Sequence, residues 1–157
     1  MKVKLCRLYA CGILFAMLFY FCGCSRPESQ EFFIKATDVR DICGPYIFDV
    51  DLTDSISKYD ISLYLRIDCS DREFDDIPQY NAKVKIISSD ADTLTDSHLF
   101  CKKDFRRTDA FSRFYSGNFK TGFKNEGKEY KKVTVEFDTI PPVGTFRGVG
   151  LKSNRTK

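Results

Sequence analysis

The feature that most constrains this chain is an apolar alternation with a period of two. Tyr46, Phe48, Val50 and Leu52 alternate with Ile47, Asp49 and Asp51, while Tyr59, Ile61, Leu63, Leu65 and Ile67 alternate with Asp60, Ser62, Tyr64, Arg66 and Asp68. Successive side chains of an extended strand point to opposite faces, so each run predicts a strand with one buried face. Ala82, Val84 and Ile86 repeat the pattern against Lys83 and Lys85, as do Val133, Val135 and Phe137 against Lys132, Thr134 and Glu136. Helical spacing is scarcely visible. Turn chemistry in Thr53-Asp54-Ser55 and Ser57-Lys58 separates the first two runs and predicts that they are antiparallel neighbours. Ser88-Ser89-Asp90 marks a further turn, and Gly122 and Gly127 a loop. Pro141-Pro142 forces a break, after which residues 146–151 predict a closing strand with Gly148 and Gly150 as weak points or bulges.

Short strands punctuated by turns predict an all-β fold, a single antiparallel β-sandwich of jelly-roll or immunoglobulin-like type. Its expected core includes Phe48, Val50, Ile61, Leu63, Leu65, Val84, Ile86, Val133, Val135 and Phe137. The expected organisation is a lipoprotein signal peptide at residues 1–23, a lipidated cysteine and tether at 24–30, and the sandwich at 31–157.

The signal follows from the first residues. Lys2, Lys4 and Arg7 precede an uncharged run at residues 8–21 that ends beside Gly23-Cys24. A spanning helix needs roughly 20 apolar residues; this run is shorter and stops at small residues, as a cleaved signal does. Phe21-Cys22-Gly23-Cys24 resembles a bacterial lipobox, in which a small residue precedes the acylated cysteine. Phe21 departs from the usual leucine. Cys22 competes, but bulky Phe21 would then occupy the position before the cut, so Cys24 is the expected attachment site. Each buried acyl CH₂ contributes about 0.8 kcal/mol, and several chains make a lasting anchor. An ordinary secretory signal or an uncleaved anchor is the other reading of the same residues.

Cleavage removes three of the 25 Lys and Arg and none of the 22 Asp and Glu, so the mature chain is balanced. With no basic stripe interleaved with aromatics, nucleic acid is not an expected partner. Cys43, Cys69 and Cys101 remain besides Cys24, which permits at most one intramolecular bridge. Cys43 and Cys69 would be the pair if the first two strands form a hairpin, and three reduced thiols are the alternative.

Residues 104–123 carry Phe105, Phe111, Phe114, Tyr115, Phe119 and Phe123 among arginines. These rings either pack onto the core or, through Phe111, Phe114, Tyr115 and Phe119, present a ligand face of the kind carbohydrate-binding modules use. His98 stands alone beside a turn, where a histidine is usually a surface residue. Asp71, Glu73, Asp75 and Asp76 form an acidic loop that lacks the ordered spacing of a Ca²⁺ site and reads as a solvated turn. No nucleophile elbow or phosphate loop is present, so no catalytic residue, cofactor or metal is expected and an enzyme is not.

Several segments resemble the GldH-like gliding-motility lipoproteins of Bacteroidetes. Residues 59–66 look like that family's alternating strand ending in Leu-Arg, and residues 77–82 share Pro78 and Asn81 with a Tyr-Pro-x-x-Asn-Leu segment. Asp92-Thr93-Leu94 and Gly148-Val149-Gly150-Leu151 resemble its post-hairpin and closing-strand motifs. The family tends to carry tryptophan near residues 111–119, whereas this chain has none. The resemblance implies a non-catalytic accessory lipoprotein of the cell envelope, associated with gliding or secretion. It would be anchored to the outer membrane on the periplasmic or surface face and partnered by other envelope proteins. A glycan-binding lipoprotein of a polysaccharide-utilisation system is the alternative.

Overall fold

Each alternating run is a strand, and its apolar members line one interior. The computed structural model describes residues 28–139 and 144–156; the expected signal peptide, the expected lipid-attachment residue Cys24 and Pro141-Pro142 lie outside them. The strands are β1 (Ser29–Lys35), β2 (Tyr46–Leu52), β3 (Lys58–Asp68), β4 (Tyr80–Ser88), β5 (Thr93–Phe100), β6 (Phe105–Arg107), β7 (Ser112–Phe123), β8 (Tyr130–Phe137) and β9 (Phe146–Thr156). They form a five-stranded sheet in the order β1-β9-β3-β7-β6 and a four-stranded sheet in the order β2-β8-β4-β5. Every pairing is antiparallel. The two sheets pack into a β-sandwich, and all the expected core residues are buried in one continuous cluster. Among the described residues no helix is long and apolar enough to cross a membrane.

The expected β2–β3 hairpin is not formed. β2 pairs with β8, whereas β3 lies in the other sheet between β7 and β9. Both strands bury their alternate residues toward the same core but from opposite sheets, β2 touching β1 and β9 across it, and residues 53–57 carry the chain from one sheet to the other. The proposed Cys43–Cys69 bridge loses its basis. Cys43, Cys69 and Cys101 are all free thiols. Burial pushes the Cys69 thiol above its ordinary value despite Arg113 nearby, and burial with Asp41 and Glu136 does the same for Cys43. Raised thiols are poor nucleophiles at neutral pH.

The acidic segment is a short helix, α1 (Asp71–Asp76). Ser70 caps it: its hydroxyl accepts the Glu73 N–H at 3.3 Å, while the Ser70 N–H donates to the Glu73 carboxylate at 2.8 Å. Asp71 pairs with Arg107 at 3.2 Å and with Arg113, whose guanidinium lies 4.4 Å from the Phe74 ring centre. Glu73 is thus spent on the cap, and Asp71 and Asp75 on ion pairs. Among the described residues no cluster of His, Cys, Asp or Glu is disposed to hold a metal.

Candidate functional site

The aromatic segment is divided by the strand geometry of β7. Tyr115 pairs with Leu65 and points inward, whereas Phe114 pairs with Arg66 and points out. Phe119 packs against the core, and Phe111 sits 65% exposed on the loop before β7. The four rings therefore do not share one face, because a period of two sends neighbours to opposite sides.

Inside, Gly117 lets the Tyr115 ring lie back along its own strand, since a Cβ there would stand 2.2 Å from the phenol oxygen. That oxygen shares a hydrogen bond of 2.9 Å with His98 Nε2 on β5. The His98 ring also meets Phe100 edge-on at 4.8 Å, and Asp96 pairs with Lys120 at 2.5 Å one step along the same edge. His98 is thus half-buried instead of standing free on the surface. It joins β5 of one sheet to β7 of the other, a role invisible in sequence because β5 carries polar residues on both faces.

His98 yields a prediction of pH dependence. Burial, opposed by Asp96, holds the imidazole below its ordinary value of 6.5. The unfolded chain therefore binds the proton more readily, so stability is fully present above about pH 6.5 and falls as the pH drops through the folded value. Unfolding free energy measured by denaturant titration is expected to decline as the pH falls below about 6.5. His98→Asn, which removes the only histidine of the chain, should flatten that decline. An unchanged slope would show that another group is responsible.

Outside, Phe114 meets a ring that the sequence analysis did not single out. Tyr64 on β3 lies against Phe114 with centroids 5.4 Å apart and planes at 31°. On the other side of Tyr64 the floor is Gly150 of β9, where a Cβ would stand 2.8 Å from the Tyr64 ring and 3.2 Å from Phe33. Phe33 of β1 extends over Gly148 as well and remains 46% exposed. Glycines in β9 thus allow aromatic rings from β1 and β3 to lie across it. Phe33, Tyr64 and Phe114 line a groove of about 430 Å³ on the outer face of the five-stranded sheet, rimmed by Glu31, Arg66 and Asp109.

The rim is pre-organised. Arg66 Nε donates to Asp68 at 3.1 Å and Arg147 Nε donates to the other oxygen at 2.8 Å, so one carboxylate holds two guanidinium groups. Burial alone would raise Asp68, but hydrogen bonds from Arg147, Ser112 and Arg66 outweigh it and hold the carboxyl below its usual range. Asp109 is lowered by the backbone N–H groups of Phe111 and Ser112. Both acids are fixed in the charged form instead of being poised to exchange protons near neutrality. The groove thus has an aromatic lining between charges of both signs. No family model and no curated protein sequence matches the chain.

Proposed function

We propose that this chain is a non-catalytic cell-envelope lipoprotein, anchored through Cys24, whose outer aromatic groove docks another envelope protein. The observation that carries the reading is the groove of Phe33, Tyr64 and Phe114 on the side wall of the sandwich. Pockets of this kind, with aromatic anchors at the centre and a charged rim, are where interface energy concentrates. The Gly23-Cys24 segment supports the anchor, and the segments that resemble GldH-like lipoproteins support an accessory role in the gliding or secretion apparatus.

The test is made in the intact lipidated chain. A photoreactive residue at Phe33 is expected to capture one discrete envelope protein, and Tyr64→Ala should abolish that adduct. The same probe at Ile47, which is 49% exposed on the outer face of β2, should capture none. Mass spectrometry should find Cys24 as the acylated N-terminus. Adducts of equal strength at both positions would count against the groove, and a peptide extending before Cys24 would count against the anchor. Saturable oligosaccharide binding lost in Tyr64→Ala, with no protein adduct, would favour the glycan-binding alternative instead.

A further inference from the structure

The loop that crosses between the sheets ends in an apolar tip. Ile56 is 90% exposed, the most exposed of the large apolar side chains among the described residues. Its backbone is held firmly: the Ile56 N–H and the Ser57 hydroxyl donate to the two oxygens of Asp54, at 3.0 Å and 2.8 Å. The Asp54 N–H is held by the Tyr59 phenol at 3.0 Å, and Arg155 pairs with the Asp54 carboxylate at 3.5 Å. Hydrogen bonds to Asp54 from the Ile56 N–H and Ser57 hold that carboxyl below its usual range, so the clasp stays charged at neutral pH. A rigid turn thus projects an isoleucine into solvent, where it has no packing role in this domain.

The position of that tip gives it meaning. Ile56, Ser57 and Asp54 share a surface hollow with Glu28 and Arg155. Glu28 is the first described residue, and its carbonyl accepts the Arg155 N–H at 2.7 Å, so the chain enters the sandwich beside the tip. Three residues lie between Cys24 and Glu28, so four steps of chain join them, a span of at most about 14 Å when fully extended. An acyl anchor on Cys24 would therefore hold this pole within about 14 Å of the lipid headgroups. The pole carries cations and anions together, Lys58 and Arg155 with Glu28 and Asp54. Charge alone does not select a lipid surface, and the apolar tip does.

We infer that Ile56 is a second membrane contact, inserting into the lipid interface and standing the sandwich on the pole where the chain enters. This rests on the Cys24 anchor proposed above. The partner is the headgroup and upper acyl region of a phospholipid leaflet, a boundary in which apolar side chains of peripheral proteins are buried. Two points of attachment, one covalent and one apolar, would fix the domain upright and leave the side-wall groove facing neighbours in the plane of the membrane. A single lipid tether would let the domain tumble.

Because the chain has no tryptophan, Ile56→Trp creates a unique fluorescent reporter at an exposed position. The full lipidated protein is reconstituted in phosphatidylethanolamine and phosphatidylglycerol vesicles with and without brominated acyl chains. Ile56→Trp is expected to show blue-shifted emission and at least two-fold quenching by the brominated lipid. Phe111→Trp carries the same indole on an exposed loop at the opposite pole and should show neither effect. Absence of quenching at position 56 in protein whose Cys24 acylation is confirmed by mass would overturn the inference and leave the anchor standing. Equal quenching at both positions would also overturn it, since the indole itself would then be seeking the membrane. Protein without acyl chains on Cys24 would overturn the anchor, and the inference with it.

Discussion

Leu63→Ala is expected to destabilise the domain by about 2 to 5 kcal/mol, while Ser62→Ala one residue earlier should change it by less than about 0.5 kcal/mol. Leu63 is fully buried at the centre of the five-stranded sheet, paired with Leu151 on one side and Gly117 on the other. Truncation leaves a cavity between two sheets whose ladders resist collapse, so the cost of the void adds to the lost transfer free energy. Ser62 faces outward on the same strand, where its hydroxyl donates to Asn118 at 2.9 Å in solvent. Denaturant unfolding of both variants is the measurement. Equal losses would mean that the strand does not present one face to the core, and the assignment of faces throughout the sandwich would fail.

Gly148→Ala should be comparably damaging for a different reason. Its φ of +149° is one that residues with a Cβ rarely adopt, and a Cβ there would stand 2.2 Å from the Ile34 carbonyl oxygen. Strain and overpacking each contribute about 1 to 3 kcal/mol in such cases. The damage should be local first: Ile34 and Lys35 pair with Val149 and Gly148, so the end of β1 is pushed off β9. Hydrogen exchange should therefore accelerate along β1 before the rest of the sheet. Gly127→Ala is the control, since φ is +82° there but a Cβ would meet nothing within 4 Å. Its cost should be the backbone contribution alone, about 1 to 2 kcal/mol. If both variants behave alike, close packing of β1 over β9 is not what requires glycine at 148.

Gly148 and Gly150 show how far the sequence could be read. Glycine in a strand marks a bulge or a close approach, and the register between β3 and β9 does shift beside Gly148, between Arg66 and Ile67. What approaches the glycines was not legible. Phe33 lies in Phe32-Phe33-Ile34, an apolar run that hides the alternation of β1, whose first residues, Ser29 and Gln30, fall within the expected tether. Tyr64 was legible only as an outward member of β3, and Phe114 only as one ring among several. β5 escaped because an edge strand with Thr, Asp, Ser and His in its inward and outward sets carries no clear period.

The sequence by itself determined where strands occur and which residues of each are buried, because the period of two is set by the covalent geometry of a single extended chain. It also determined that the chain is close to charge balance, with 25 Lys and Arg against 22 Asp and Glu, which depends on composition alone. Only the tertiary structure decided which strands pair. Ladder hydrogen bonds join backbone groups that are the same at every residue, so an inward-facing pattern is satisfied equally by a neighbour in the same sheet or by a partner across the core. Residues 53–57 connect sheets instead of closing a hairpin for that reason. The groove is likewise a tertiary product: the order β1-β9-β3-β7 sets three outward rings in a row, Phe33 and Tyr64 lying over the glycines of β9 and Phe114 against Tyr64.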